Sequence, residues 1–214
     1  MFWNKLTKKV PKAPEYDQPL GLKIGSIINL QLLDFKLLSV KLRMDIPDDD
    51  LIVTSYGMAT LDGLTKLHHF YTDSNDVFKV VTENDVVKEV SIHKVYDSVY
   101  PASAEDWDNW IGPEGLIGDP TFELPDGTVY ERVLFEDSVN HVDPVIYSET
   151  ISTDINTKDS DYLVEHQSMI YARYLDEDEE NIEWLILDAI DTGESAQINI
   201  LPGFALTENM YKVI

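Results

Sequence analysis

At 214 residues with 43% hydrophobic side chains, the chain is long enough to bury a sizeable core, and it has no run near the ~18 apolar residues that a membrane-spanning helix needs. The absence of cysteine excludes disulfides, thiolate metal sites and thiol nucleophiles together, which fits a reducing, cytoplasmic setting. The net charge of −24 is one-sided, with 12 basic and 13 acidic residues in 1–94 against 4 and 27 in 95–214, so the C-terminal half repels nucleic-acid phosphates.

The first twelve residues, MFWNKLTKKVPK, contain Lys5, Lys8, Lys9 and Lys12 and no acid. On a helix, Phe2, Trp3, Leu6 and Val10 share one side with the lysines largely opposite, and Pro11 and Pro14 stop it. An isolated helix in water needs ~12–15 residues, so this one orders only against a surface. Residues 1–15 therefore read either as a basic amphipathic tail or as a disordered segment. As a tail, Phe2, Trp3, Lys5, Leu6, Lys8 and Lys9 suit an anionic membrane surface or a protein partner.

From Tyr16 onward the runs are short and β-like: LKIGSIINL (22–30), DFKLLSVKL (34–42), LIVTSYGMATL (51–61), LTKLHHFYT (64–72), VFKVVTE (77–83) and VVKEVSIHKVY (86–96). The turn clusters between several of them are too brief for parallel crossovers, so these strands pair antiparallel as a meander. TDSND (72–76) lacks the glycine and the later glutamate of a calcium loop and reads as a hairpin turn.

A helix is predicted near 103–111. Ser103 caps it, Glu105, Asp106 and Asp108 suit its positive end, and Ala104, Trp107, Trp110 and Ile111 form an apolar face. Gly112 and Pro113 end it, and the two tryptophans dock it onto a sheet. TFELPDGTVYERV, with its Pro125-Asp126-Gly127 turn, is the clearest hairpin in the chain. Further strands follow at 144–152, 162–175, 181–190 and 195–201, and the acidic run DEDEE (176–180) makes a solvated hairpin tip. The class is α+β, predominantly antiparallel β: one β-rich domain over 16–214, with a subdomain break near 100–118 as the second option.

The five histidines, His68, His69, His93, His141 and His166, do not stand at the i, i+2 or i, i+4 spacing of a local metal site. His68 and His69 fall on opposite faces of their strand, so no more than one of them joins any single site there. Phosphate-binding loops and nucleophile elbows are absent, and the sequence implies no cofactor, metal ligand or catalytic residue. Arg132 and Arg173 are two of only four basic residues after position 94, so each must pair with carboxylates or face a ligand.

LHHFYTDSNDVFKV, WIGPEGLIGDPTFELPDGTVYERV and EHQSMIYARYL, in that order after the MFWNKL start, resemble the YjfK-like family of bacterial proteins of unknown function. The matching positions are Leu67, His69, Phe70, Tyr71, Thr72, Asp73, Gly118, Phe122, Asp126, Gly127, Tyr130, Arg132, His166, Met169, Tyr171 and Arg173. The resemblance implies a cytoplasmic bacterial protein with no assigned active site. The family often has arginine where this chain has His69, which argues against a required metal ligand at that position.

Three functional classes follow. The first is a non-enzymatic interaction or adaptor protein, peripheral to the inner membrane through its tail. The second is a small-ligand binder or enzyme whose pocket gathers His69, Tyr71, Asp73, Trp107, Trp110, Arg132 and Arg173. The third is a metal-binding protein.

Overall fold

Short alternating runs make strands, and in the computed structural model, which describes residues 18–47, 49–154, 162–177, 181–192 and 195–214, they dominate. A 3-10 turn at Pro19–Gly21 leads into β1 (Ile27–Leu30), α1 (Leu33–Leu38), β2 (Asp50–Thr60), β3 (Thr65–Thr72), β4 (Asp76–Glu83), β5 (Val86–Lys94) and β6 (Asp97–Val99). After α2 (Ala104–Ile111) come β7 (Thr121–Glu123), β8 (Val129–Arg132), β9 (Val145–Ser152), β10 (Tyr162–Tyr174), β11 (Ile182–Asp191), β12 (Ala196–Ala205) and β13 (Tyr211–Val213). No helix among the described residues is long and apolar enough to cross a membrane.

The β-rich α+β class and the β2–β5 meander are as the sequence implies, and every pairing is antiparallel. Ser103 caps α2 by accepting from the Asp106 amide at 3.1 Å, and the Pro125-Asp126-Gly127 turn joins β7 to β8. The acidic run 176–180 does separate the paired strands β10 and β11, although 178–180, like the tail 1–15, lie outside the described residues.

The stretch 34–42 is not a strand. Phe35 and Leu42 are buried with Leu32 ahead of them, whereas Leu33, Leu37 and Val40 are exposed, a spacing of three to four that turns one face of a helix inward. Strand alternation would have put Phe35 and Leu37 on the same side. Of the run 22–30 only the last four residues pair, because Gly25 at φ 89° turns the chain first.

The meander also does not end as an open sheet. Beyond β5 the neighbours run β12, β11, β10 and β9, and β9 pairs back onto β2 through Tyr56↔Ser152 to Ala59↔Glu149. Eight antiparallel strands thus close a barrel, which removes the sheet edges. On the edge that β2 turns to β9, the first residues of β2 pair instead with β1, which continues to β13.

Alternation along these strands divides the residues between a lumen and an outer wall. Two apolar clusters cover the wall. Phe70, Phe78, Val80, Ile92 and Phe204 face outward onto α1, β1 and β13, with Phe35 stacked on Phe204 at 3.7 Å between ring centroids. Leu185, Leu187, Met169, Tyr171 and Ile198 face outward onto α2 and the β7–β8 hairpin. Buried Glu183 joins the two coverings: it accepts from the Arg43 and Met44 amides, from the Tyr130 hydroxyl at 2.8 Å and from Arg173.

Phe35→Ala is expected to lower unfolding stability by about 3 kcal/mol, and Leu37→Ala to change it by no more than about 0.5 kcal/mol, measured by urea denaturation. Equal losses would return residues 34–42 to a strand.

Candidate functional site

The lumen holds a cavity of about 400 Å³, within the range of small-molecule pockets. Leu67, Val81, Val145, Ile186, Ile190 and Leu201 give it apolar bands, and between them stand His69, Tyr71, Lys79, His93, Tyr147, His166, Ser168 and Asp188. Leu61 and Glu89, which also line it, are exposed and mark its rim.

A fully buried carboxylate organises these groups. Glu149 on β9 accepts from His69 Nδ1 at 2.8 Å through Oε1, and from the Tyr71 hydroxyl and His166 Nε2, both at 2.9 Å, through Oε2. Gly57 on β2 leaves the space it fills, since a Cβ there would overlap the carboxylate. Burial alone would raise the Glu149 pKa, but the charges and hydrogen bonds of His69 and His166 outweigh it and hold the group well below the usual carboxylate range.

The opposite ring nitrogen of His166, Nδ1, faces Asp188 Oδ2 at 2.9 Å, and the ring stacks on Tyr147 at 4.7 Å. With a carboxylate at each nitrogen, both nitrogens donate and the ring is an imidazolium. Burial opposes that charge, yet the hydrogen bonds and charges of Asp188 and Glu149 prevail and carry the pKa up to about 9. Burial, reinforced by Glu149, also pushes the Tyr71 phenol far up. His93 behaves in the reverse way. Burial and the Lys79 charge drop it to about 3, and its Nε2 lies 3.1 Å from Ser91 Oγ.

Ser168 donates to Asp188, so a serine, an aspartate and a histidine meet here. They do not form a nucleophilic triad, because the serine bonds the aspartate directly and His166 has no free nitrogen to accept its proton. Among the described residues, no three acidic or imidazole side chains are placed to hold a metal ion.

The residues singled out from sequence are divided by the barrel wall. His69 and Tyr71 enter the lumen together. His68, on the other face of β3, bonds the Tyr56 hydroxyl at 2.8 Å and Thr82 at 3.0 Å, and burial lowers its pKa to about 4. Asp73 accepts from the Ile52 amide at the end of β3, and Trp107 and Trp110 pack against the second outer cluster. Arg173 pairs with Glu183 at 2.6 Å, the ion pair that its acidic setting implies. Among the described residues Arg132 takes no carboxylate: it donates to the carbonyls of Gly118, Leu134, Phe135, Ser138 and Asn140 and so pins the loop after β8. Five carbonyls satisfy the guanidinium as fully as an acid does.

Lys79, Tyr147, Glu149, Ser168 and Asp188 were not candidates. Their signal is a polar residue at an alternate position within an apolar strand, as in Phe78-Lys79-Val80 and Leu187-Asp188-Ala189. A barrel exterior would produce the same pattern, so only closure assigns it to the lumen.

A family model described as "Protein of unknown function (DUF2491)" matches residues 1–208. The chain is 24% identical over 192 residues to the "Uncharacterized protein YjfK" of Escherichia coli (strain K12), covering 87% of this chain and 84% of that protein. No solved structure matches.

The His166 pKa lies above its ordinary 6.5, so the stability it contributes is complete below about 6.5 and lost as the pH rises through about 9. His68 and His93 act in the opposite sense, complete above about 6.5 and lost as the pH falls through about 4 and about 3. Ring-nitrogen NMR should find His166 charged at neutral pH and titrating near 9. Glu149→Gln should lower that midpoint by about 1–3 pH units. A ring that is neutral at pH 7 overturns the assignment.

Proposed function

This chain belongs to the DUF2491 family of proteins of unknown function, and we propose that it is a binding protein that takes a small molecule into the lumen of its β-barrel. The observation that carries this reading is the cavity of about 400 Å³ enclosed by the eight closed strands, with apolar bands flanking a fixed polar cluster. A lumen built only for stability would be filled with side chains, because a small barrel of eight strands has just the width to pack shut. Binding is favoured over catalysis because His69, His166, Glu149 and Asp188 are engaged with one another, which leaves no base beside the Ser168 hydroxyl bonded within the cluster.

The neutral fluorophore N-phenyl-1-naphthylamine is a direct probe of the lumen. It should bind the wild-type protein saturably at one site, and Val145→Phe and Ile190→Phe, which fill the cavity, should each weaken it tenfold or more. Overpacking costs about 1–3 kcal/mol, so unfolding midpoints are measured alongside. No saturable binding, or binding indifferent to both substitutions in folded protein, overturns the reading.

We also propose that residues 1–15 contact an anionic membrane surface or a protein partner, as an adaptor would. This is supported by the sequence alone: Phe2, Trp3 and Leu6 opposite Lys5, Lys8 and Lys9, ahead of a strongly acidic remainder. The full chain should cosediment with vesicles containing phosphatidylglycerol, and a chain lacking residues 1–14 should not. Equal cosedimentation removes the tail from membrane contact.

A further inference from the structure

Lys79 lies on β4 between Phe78 and Val80, which point to the outer cluster, so its own side chain enters the lumen at 7% exposure. Among the described residues no hydrogen bond or ion pair reaches its Nζ. The buried acids around it are already engaged. Glu149 receives three donors, Asp188 receives His166 and Ser168, and Asp76 receives Ser74 and pairs with Lys94, while Glu89 sits on the exposed rim. The lumen therefore has one cationic group more than its own acceptors satisfy.

An ammonium largely withdrawn from water and without an acceptor is costly. Burial accordingly lowers the Lys79 pKa, against the opposing pull of Glu89 and Asp188. One further donor faces the same space, because Ser168, whose single proton goes to Asp188, accepts from the Tyr147 hydroxyl at 3.5 Å and so engages it. The Asn199 side chain uses its oxygen to accept from Ser98 and Gln197, which leaves its amide nitrogen as a donor. Around the Lys79 ammonium and the Asn199 amide, aliphatic side chains make up much of the lumen wall. A cationic ligand would meet the Lys79 charge and carboxylates that already hold cations or donors of this chain. An anionic oxygen group would supply the acceptor that is missing.

We infer that the lumen selects an apolar carboxylate, its hydrocarbon body against the aliphatic bands and its carboxylate on Lys79 Nζ. This rests on the lumen-binding reading above. A charge-assisted hydrogen bond formed away from water discriminates strongly between a carboxylate and a neutral group of the same size, because it satisfies the ammonium as well as the ligand.

Displacement of bound N-phenyl-1-naphthylamine by octanoate and by 1-octanol, which share nearly the same chain, tests it on the full protein. Octanoate should displace the fluorophore from wild-type protein at a concentration tenfold or more below that of 1-octanol. Lys79→Met should remove that preference while still binding the fluorophore, and Lys79→Gln serves the same purpose if the methionine variant does not fold. Equal competition by the two in wild-type protein, or an octanoate preference that persists without Lys79, overturns the inference while leaving lumen binding standing. Failure of the fluorophore to bind wild-type protein at all overturns the lumen-binding reading itself.

Discussion

The closing seam of the barrel is organised by one charged side chain. Glu149 on β9 occupies the space that Gly57 on β2 leaves open, and it is received by His69 and Tyr71 from β3 and His166 from β10. A carboxylate removed from water must collect donors, and the donors it collects belong to the strands on either side of the β9–β2 junction. The same constraint sets the electrostatics of the lumen. Glu149 and Asp188 together hold His166 as an imidazolium, and that cluster accounts for both acids without using Lys79.

The barrel carries apolar residues on both faces of its strands, some in the bands of the lumen and others pointing outward. The outward ones must be covered by other parts of the chain. The residues from Leu22 through β1 and α1 and the C-terminal β13 cover one side, and α2 with the β7–β8 hairpin covers another. Trp107 and Trp110 take their place in this covering rather than in a pocket, which is the role that two large aromatics on a short amphipathic helix suggest. Glu183 links the coverings through Arg43, Tyr130 and Arg173, so the acidic half of the chain spends one of its few guanidinium groups on holding its outer layers together.

Much of the local structure was legible. The alternation that splits His68 from His69 is a property of any extended strand, and the two rings do lie on opposite sides of the barrel wall. The β7–β8 hairpin and the capped α2 carry their own turn and cap residues. The run 34–42 misled because its apolar residues are dense enough to satisfy either period, and only burial of Phe35 with exposure of Leu37 separates helix from strand. Of the candidate site, His69 and Tyr71 stay together because they are two apart on one strand. Arg132, Arg173 and the two tryptophans were grouped with them on chemistry alone, and a wall of sheet divides them.

By itself the sequence determined the β-rich class, the pairing of neighbouring strands, the helix cap, the hairpin turn and the family, because each depends on residues close together in the chain or on their order along it. Only the tertiary structure decided that β12 enters beside β5, that β9 returns to β2, and therefore which alternate face is inside. Those pairings join segments about ninety to more than a hundred positions apart. No local pattern distinguishes a polar face turned to solvent from one turned into a lumen. That choice makes the histidine, glutamate and lysine side chains neighbours around one cavity.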